Sequence, residues 1–255
     1  MPEQSTIISE IKGTIRYLTL NRPAKRNALD NQMVDELRHA LRASEGDKQT
    51  RVIVLRGAGK DFCAGMDLSA LERLSTASIL ENREDAAQLG SLFQTIRELQ
   101  LPVIAAVQGR AVAGGAGLAV ACDLVIASRS ALFGFTEVAI GFVPAMVMAV
   151  ARRNLGEKRA FEILATGRML TSAEAERMGL INSVSDDDQH ESEVERQAEA
   201  VARLSQSAVM LTKYLLYQTD ALPFERALKA GIDINTIARM TPDTRSGVRK
   251  FLSKK

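Results

Sequence analysis

Pro102-Val103-Ile104-Ala105-Ala106-Val107 runs straight into Gln108-Gly109-Arg110-Ala111-Val112-Ala113-Gly114-Gly115-Ala116-Gly117-Leu118, and the class of the protein follows from that junction. The first part is apolar along its length after Pro102, the pattern of a strand buried on both faces of a sheet. The second part is a run of small residues that opens onto the helix-compatible Leu118-Ala119-Val120-Ala121. Backbone N–H groups at a helix N-terminus lack intrahelical partners and carry the positive end of the dipole. Small residues there let a ligand oxygen approach closely, so the run is a candidate oxyanion or phosphate cradle. The same residues also serve tight packing of a helix on a sheet. Nucleotide readings fail on pattern: Gly115-x-Gly117 lacks the third glycine of the dinucleotide fingerprint, and no Gly-Lys-Ser/Thr ending forms a phosphate-binding loop.

The same pattern recurs on either side. Arg16-Tyr17-Leu18-Thr19-Leu20 predicts a strand closed by Asn21-Arg22-Pro23, and Asp30 is the expected N-cap of a helix whose Met33, Leu37, Ala40 and Leu41 share one face. Arg51 to Gly57 and Leu124 to Ala127 predict two more buried strands. Strands separated by helices imply an α/β body. Further on, Glu157 to Thr166 reads as a helix stopped by Gly167, and Thr171-Ser172-Ala173-Glu174 is a capping box before a helix stopped by Gly179. Val194, Ala198, Val201 and Leu204 mark one apolar stripe, and the segments around Met210 to Thr219 and Phe224 to Ile237 are helical. The chain therefore reads as an α/β body followed by a helical tail that packs on its own body or on a neighbour.

Lys and Arg number 33 against 31 Asp and Glu over 255 residues, a net charge of +2, with 46% hydrophobic and 25% charged residues. This is the mix of a folded domain, and the even charge argues against binding nucleic acid through a broad basic surface. No stretch approaches the roughly 18 apolar residues that span a bilayer, and Met1 to Lys12 lacks a signal-peptide layout, so a cytoplasmic protein without membrane contact is expected. Cys63 and Cys122 are too few for a disulfide framework or thiolate cluster. No metal site is expected either: His190 lies in the polar run Asp186 to Glu191, which lacks the glycine of a calcium loop and reads as a solvated turn.

Two further segments carry candidate chemistry. Lys60-Asp61-Phe62-Cys63-Ala64-Gly65-Met66-Asp67-Leu68 presents a second exposed backbone corner just past a buried strand. Within it Cys63 reads as a small buried hydrophobe and Asp67 as a cap. In Leu132 to Pro144 a single carboxylate, Glu137, is flanked on both sides by apolar residues. Such a group is solvent-facing, paired or functional, and burial would raise its pKa toward the range useful for proton transfer.

These pieces in order resemble the crotonase, or enoyl-CoA hydratase/isomerase, family: Asn21 to Leu29, Phe62 to Leu68, Gly109 to Asp123 and Phe133 to Pro144. The resemblance implies a spiral of stacked ββα units over 1–195 and a helical region over 196–255 used in trimerisation, often as a dimer of trimers. It implies an acyl-CoA substrate, with coenzyme A entering as part of that substrate and no separate cofactor. By motif it places an oxyanion hole at the N–H groups of Met66 and Gly114, and an acid/base at Glu137. It places substrate contacts at Lys25, Arg26, Ala28, Ala64, Asp67, Leu68 and Gly115, and at Phe251 and Lys254 near the C-terminus. One departure matters. Typical hydratases of the family carry a first Glu where this chain has Gly117, so double-bond isomerisation is favoured over hydration. A hydratase with one Glu of the usual pair, drawing another acid from the segment Glu72 to Gln94, and a non-catalytic acyl-CoA binder are the alternatives. Pro144-Ala145-Met146-Val147-Met148 replaces the Gly-rich segment of many relatives, which implies an altered acyl pocket.

Overall fold

The structure, a computed structural model, describes residues 5–253. Strands β1 (Ile7–Lys12) and β2 (Ile15–Leu20) form an antiparallel hairpin, and after helix α1 (Asn31–Gly46) strand β3 (Val52–Gly57) lies parallel to β2. Helices α2 (Leu68–Leu74) and α3 (Ile79–Glu98) lead to β4 (Val103–Val107), parallel to β3. The chain then passes through the short β5 (Arg110–Val112) into α4 (Gly114–Ala121). It returns as β6 (Leu124–Ser128) parallel to β4 and leaves again as β7 (Leu132–Gly134). Helices α5 (Ala145–Asn154) and α6 (Glu157–Thr166), strand β8 (Met169–Thr171) and helix α7 (Ser172–Met178) precede β9 (Ser183–Ser185). The tail is α8 (His190–Ala202), α9 (Gln206–Gln218), α10 (Phe224–Met240) and α11 (Pro242–Leu252).

The larger sheet has the order β1-β2-β3-β4-β6-β9 and the smaller β5-β7-β8. β4 and β5, then β6 and β7, therefore each place one strand in either sheet before the next helix, which is the repeating ββα turn. The larger sheet is covered on both sides, as its apolar strands require. Leu18, Leu20, Ile53, Leu55, Val103 and Ala105 point into the main core with α1, α3 and α4, while Tyr17, Val54, Ile104 and Ile126 meet Val194 and Ala198 of α8 on the other face. Thus α8 carries the chain across residue 195 while still packed on the sheet.

The predicted punctuation holds where a side chain or glycine enforces it. Asp30 Oδ1 accepts from Met33 N at 2.9 Å, Gly167 ends α6 in the left-handed region at φ 63°, and both halves of the Thr171–Glu174 capping box are present. Leu204 departs from expectation. It lies past the end of α8 and is exposed, because Ser205 accepts from Ala208 N and starts α9, and Ala202 takes the inward place instead. His190 also departs, opening α8 half-buried with Nδ1 2.9 Å from Ser185 Oγ, where a solvated turn is the sequence expectation.

A buried cation fastens the tail to the body. Lys213 of α9 donates to the carbonyls of Ile96 and Leu101 at 2.8 and 2.9 Å and pairs with Asp123 Oδ2 at 2.7 Å. Asp123 also accepts from Val103 N and from the Tyr217 hydroxyl, each at 2.7 Å. Beyond this anchor α10 and α11 bury no residue, and Phe224, Leu228, Ile232, Ile237 and Met240 lie exposed along α10. Among the described residues no helix is long and apolar enough to cross a membrane.

Candidate active site

Two backbone corners meet beside one cavity. At the first, Leu29 N donates to Gly65 O at 2.7 Å and Asp67 N donates to Leu29 O at 2.9 Å, which brackets Met66 in a parallel bridge with Leu29. Successive N–H groups of an extended chain point to opposite sides, so the Met66 N–H faces away from Leu29. No acceptor among the described residues takes it. Gly65 makes the corner possible. Its φ is +90°, and a Cβ there would stand 2.9 Å from Val112 O and 3.1 Å from Ala113 Cβ.

The second corner is the start of α4. Ala113 holds φ 49° and ψ −123°, a conformation costing of order 1–3 kcal/mol for a residue with a Cβ. It is clamped by its N–H donating to Gly134 O at 2.7 Å and its carbonyl accepting from Gly117 N at 3.0 Å. The following N–H, of Gly114, has no acceptor among the described residues and stands at the positive end of a buried helix. Gly115 sits directly over the first corner, where a Cβ would overlap the Cys63 carbonyl oxygen. The close approach of the two corners is therefore built from residues that lack side chains.

Both corners open on a cavity of about 200 Å³ that Ala64, Met66 and Gly114 line together with Leu89, Met146 and Val147. Glu137 reaches it from a one-turn 3-10 helix, Glu137–Ile140, which Gly141 ends at φ 76°. The carboxylate is half-buried, its Oε2 has no hydrogen-bond partner among the described residues, and desolvation by burial holds its pKa above the usual 4.5. A carboxyl so placed is poised to exchange a proton nearer neutral pH than an exposed one. Gly117, one turn into α4, carries no group toward the cavity. A Cβ there would overlap Val147 Cγ1 and stand 2.9 Å from Phe93 Cζ, so apolar side chains fill the space where a first carboxylate would stand.

The family model for enoyl-CoA hydratase/isomerase matches residues 10–255. The chain belongs to the enoyl-CoA hydratase/isomerase family. It is similar to a putative enoyl-CoA hydratase of Thermus thermophilus, 39% identical over 244 residues that cover 96% of each chain. It is also similar to a crotonyl-CoA hydratase of Syntrophomonas wolfei, 32% identical over 251 residues covering 98% of this chain and 95% of the relative. Among solved structures, an enoyl-CoA hydratase of Mycobacterium smegmatis superposes with a TM-score of 0.94 at 30% identity, covering 99% of this chain and 98% of that one. The two-sheet spiral is thus the crotonase fold, and the chain is an enzyme of the enoyl-CoA hydratase family.

Against that family frame, the other expected site residues separate into groups. Lys25 and Arg26 are exposed at the end of the Pro23–Lys25 turn, and Arg26 O accepts from Ala64 N at 3.0 Å, which sets this loop against the first corner. Ala28 is buried, and its carbonyl accepts from Arg22 Nη1. The Asp67 side chain is used internally. It caps α2 through Ser69, pairs with Arg22 at 2.8 Å, and these bonds, the Ser69 hydroxyl first, draw its pKa down to about 2. Leu68 opens α2, with its side chain outside the described residues, as is Lys254. Phe251 lies on α11 and is not part of the cavity wall. Cys63 is inert, its thiol pushed up to about 12 by complete burial.

Three residues escape sequence reasoning. Arg22 bridges Asp30 and Asp67 at 3.0 and 2.8 Å and so ties the start of α1 to that of α2. Asp85 and Gln88, on one side of α3, line the cavity. For Arg22 the only signal was its place in Asn21-Arg22-Pro23. For Asp85 and Gln88 there was none beyond membership of the segment Glu72 to Gln94.

Proposed function

We propose that the protein shifts the double bond of an enoyl-CoA thioester from the 3 to the 2 position. The Met66 and Gly114 N–H groups hold the thioester oxygen as negative charge develops on it. Glu137 takes the proton from C2, the electron pair of that C–H bond spreads into a dienolate, and the same carboxyl returns the proton to C4. The product is the conjugated thioester, isomeric with the substrate. Donors fixed before reaction stabilise the transition state without reorganising, and losing one typically costs about 3 kcal/mol. Coenzyme A enters with the substrate, and the loop carrying Lys25 and Arg26 offers its phosphates positive charge beside the cavity mouth. No separate cofactor takes part.

The observation that carries this reading is the filled space at Gly117. Syn addition of water is served by two carboxylates around one water, and at the position of the first the site has Val147 and Phe93 instead. Ultraviolet absorbance and mass analysis of a 3-enoyl-CoA together test the reading, with conjugation expected to appear and no mass gained. Gain of one water by a 2-enoyl-CoA would support hydration, the reading favoured by Asp85 in the cavity wall, and Asp85→Asn would then abolish that gain. Gly117→Glu is expected to cost about 1–3 kcal/mol of stability through overpacking without conferring hydration. Chemical denaturation and the same product analysis check both halves.

The exposed apolar face of α10 supports self-association into a trimer or a dimer of trimers. Light scattering should return three or six times the 27.7 kDa chain mass, and a monomer at micromolar concentration would contradict it.

A further inference from the structure

The wall of the acyl cavity is not uniformly apolar, and its charged groups have one sign. Asp30, Asp85 and Glu137 contribute carboxylates, and among the described lining residues there is no Lys, Arg or His. Asp30 is neutralised locally, with Oδ1 capping α1 and Oδ2 3.0 Å from Arg22. Asp85 has no ion-pair partner among the described residues. Beside it on α3, Gln88 also lines the cavity, and its Oε1, which has no surface open to the empty cavity, lacks a hydrogen-bond partner among the described residues. A buried acceptor left unpaired is costly, and turning the amide toward a ligand donor recovers that cost.

The two residues have a definite place relative to the reacting end. A Cβ on Gly114 would stand 3.5 Å from Leu89 Cδ2, so Leu89 marks the level of the oxyanion corner on α3. Asp85 lies four residues before Leu89, one turn nearer the exposed start of the helix, and Gln88 is the residue adjacent to Leu89. An acyl chain leaving the thioester carbon must pass this polar edge of α3 on one side and Met146 and Val147 on the other.

We propose that Gln88 and Asp85 select the acyl group. The site takes chains that carry a neutral hydrogen-bond donor such as a hydroxyl beyond the reacting carbons, toward which the Gln88 amide turns. It rejects chains that end in a carboxylate, which would be desolvated beside Asp85 and Glu137 with no counter-charge. This deepens the reaction proposed above and rests on the same cavity being the acyl site.

The test uses three saturated thioesters of equal chain length: hexanoyl-CoA, ω-hydroxyhexanoyl-CoA and adipyl-CoA. None has a double bond to shift or hydrate, so their binding by titration calorimetry stands apart from the reaction. The hydroxylated ester is expected to bind about threefold to tenfold more tightly than hexanoyl-CoA, the range of one net hydrogen bond, and adipyl-CoA at least tenfold more weakly. Gln88→Met, similar in length and unable to accept well, should bring the hydroxyl-to-alkyl ratio to one or below. Asp85→Asn, a surface-accessible and nearly isosteric change, should narrow the deficit of adipyl-CoA. A hydroxylated ester bound more weakly than hexanoyl-CoA by the unaltered protein, or adipyl-CoA bound as well as hexanoyl-CoA, overturns the proposal. If these ratios hold while no enoyl-CoA is turned over, the reaction reading fails and the selectivity stands. If isomerisation is seen with the ratios reversed, only the selectivity falls.

Discussion

Glu137→Gln is expected to lower turnover of a 3-enoyl-CoA by about 10²–10⁴-fold, the usual range for removing a positioned acid/base, with little change in KM. The amide keeps the size of the carboxyl and cannot carry the proton from C2 to C4. The unaltered enzyme should show an acid limb in kcat/KM above 4.5, since burial raises the Glu137 pKa and only the ionised form removes the proton. Stability should move the other way. A carboxyl whose pKa is higher folded than unfolded binds more protons in the native state, so its contribution to stability falls as pH rises through that interval. At neutral pH the buried charge is therefore a liability, and Glu137→Gln should melt at a higher temperature than the parent. The pair of effects, activity lost and stability gained, separates a proton-transfer role from a merely structural one. Loss of both would indicate a structural carboxylate, and full activity would remove Glu137 from the mechanism.

Lys213→Met should destabilise the fold by about 3–5 kcal/mol, the cost of breaking a buried ion pair from one side. The ammonium joins the Ile96 and Leu101 carbonyls and Asp123 at 2.7–2.9 Å, and methionine fills its volume while leaving all of them short of a donor. Asp123 retains Tyr217 and Val103 N, which hold the carboxylate in place without neutralising it. For a chain of this size the loss corresponds to a fall in Tm of about 10 °C, measurable by calorimetry at fixed protein concentration. Because the contact joins α9 to the end of α3 and the start of β4, release of the helical tail should precede loss of the sheet, visible as early hydrogen exchange in α9. An unchanged Tm would mean that the apolar contacts of α9 alone hold the tail.

The parts of this fold that were readable in the sequence are those in which one local rule suffices. β3, β4 and β6 are each continuous apolar runs, and α1, α6 and α7 each carry a cap that fixes an end. β5, β7, β8 and β9 have three residues each and no measurable period, so their place in the second sheet and at the edge of the first was invisible without the fold. The site divides in the same way. Glu137 stood out as a lone carboxylate among apolar neighbours. Met66 and Gly114 contribute backbone N–H groups, which leave no mark of their own in the sequence. Only small neighbours such as Gly65 and Gly115 hinted at close approach, and the resemblance to a family supplied the roles. Asp85 and Gln88 acquire meaning solely from a cavity whose walls come from segments far apart in the chain.

Proton transfer by one carboxyl beneath two backbone donors is tested most directly by following the ultraviolet absorbance of the conjugated thioester. Purified protein is given 3-enoyl-CoA and 2-enoyl-CoA substrates separately. The account predicts that absorbance rises from the 3-enoyl substrate as conjugation forms, that Glu137→Gln suppresses the rise, and that the 2-enoyl substrate shows no net hydration. A fall in absorbance from the 2-enoyl substrate, with no rise from the 3-enoyl one, would contradict it.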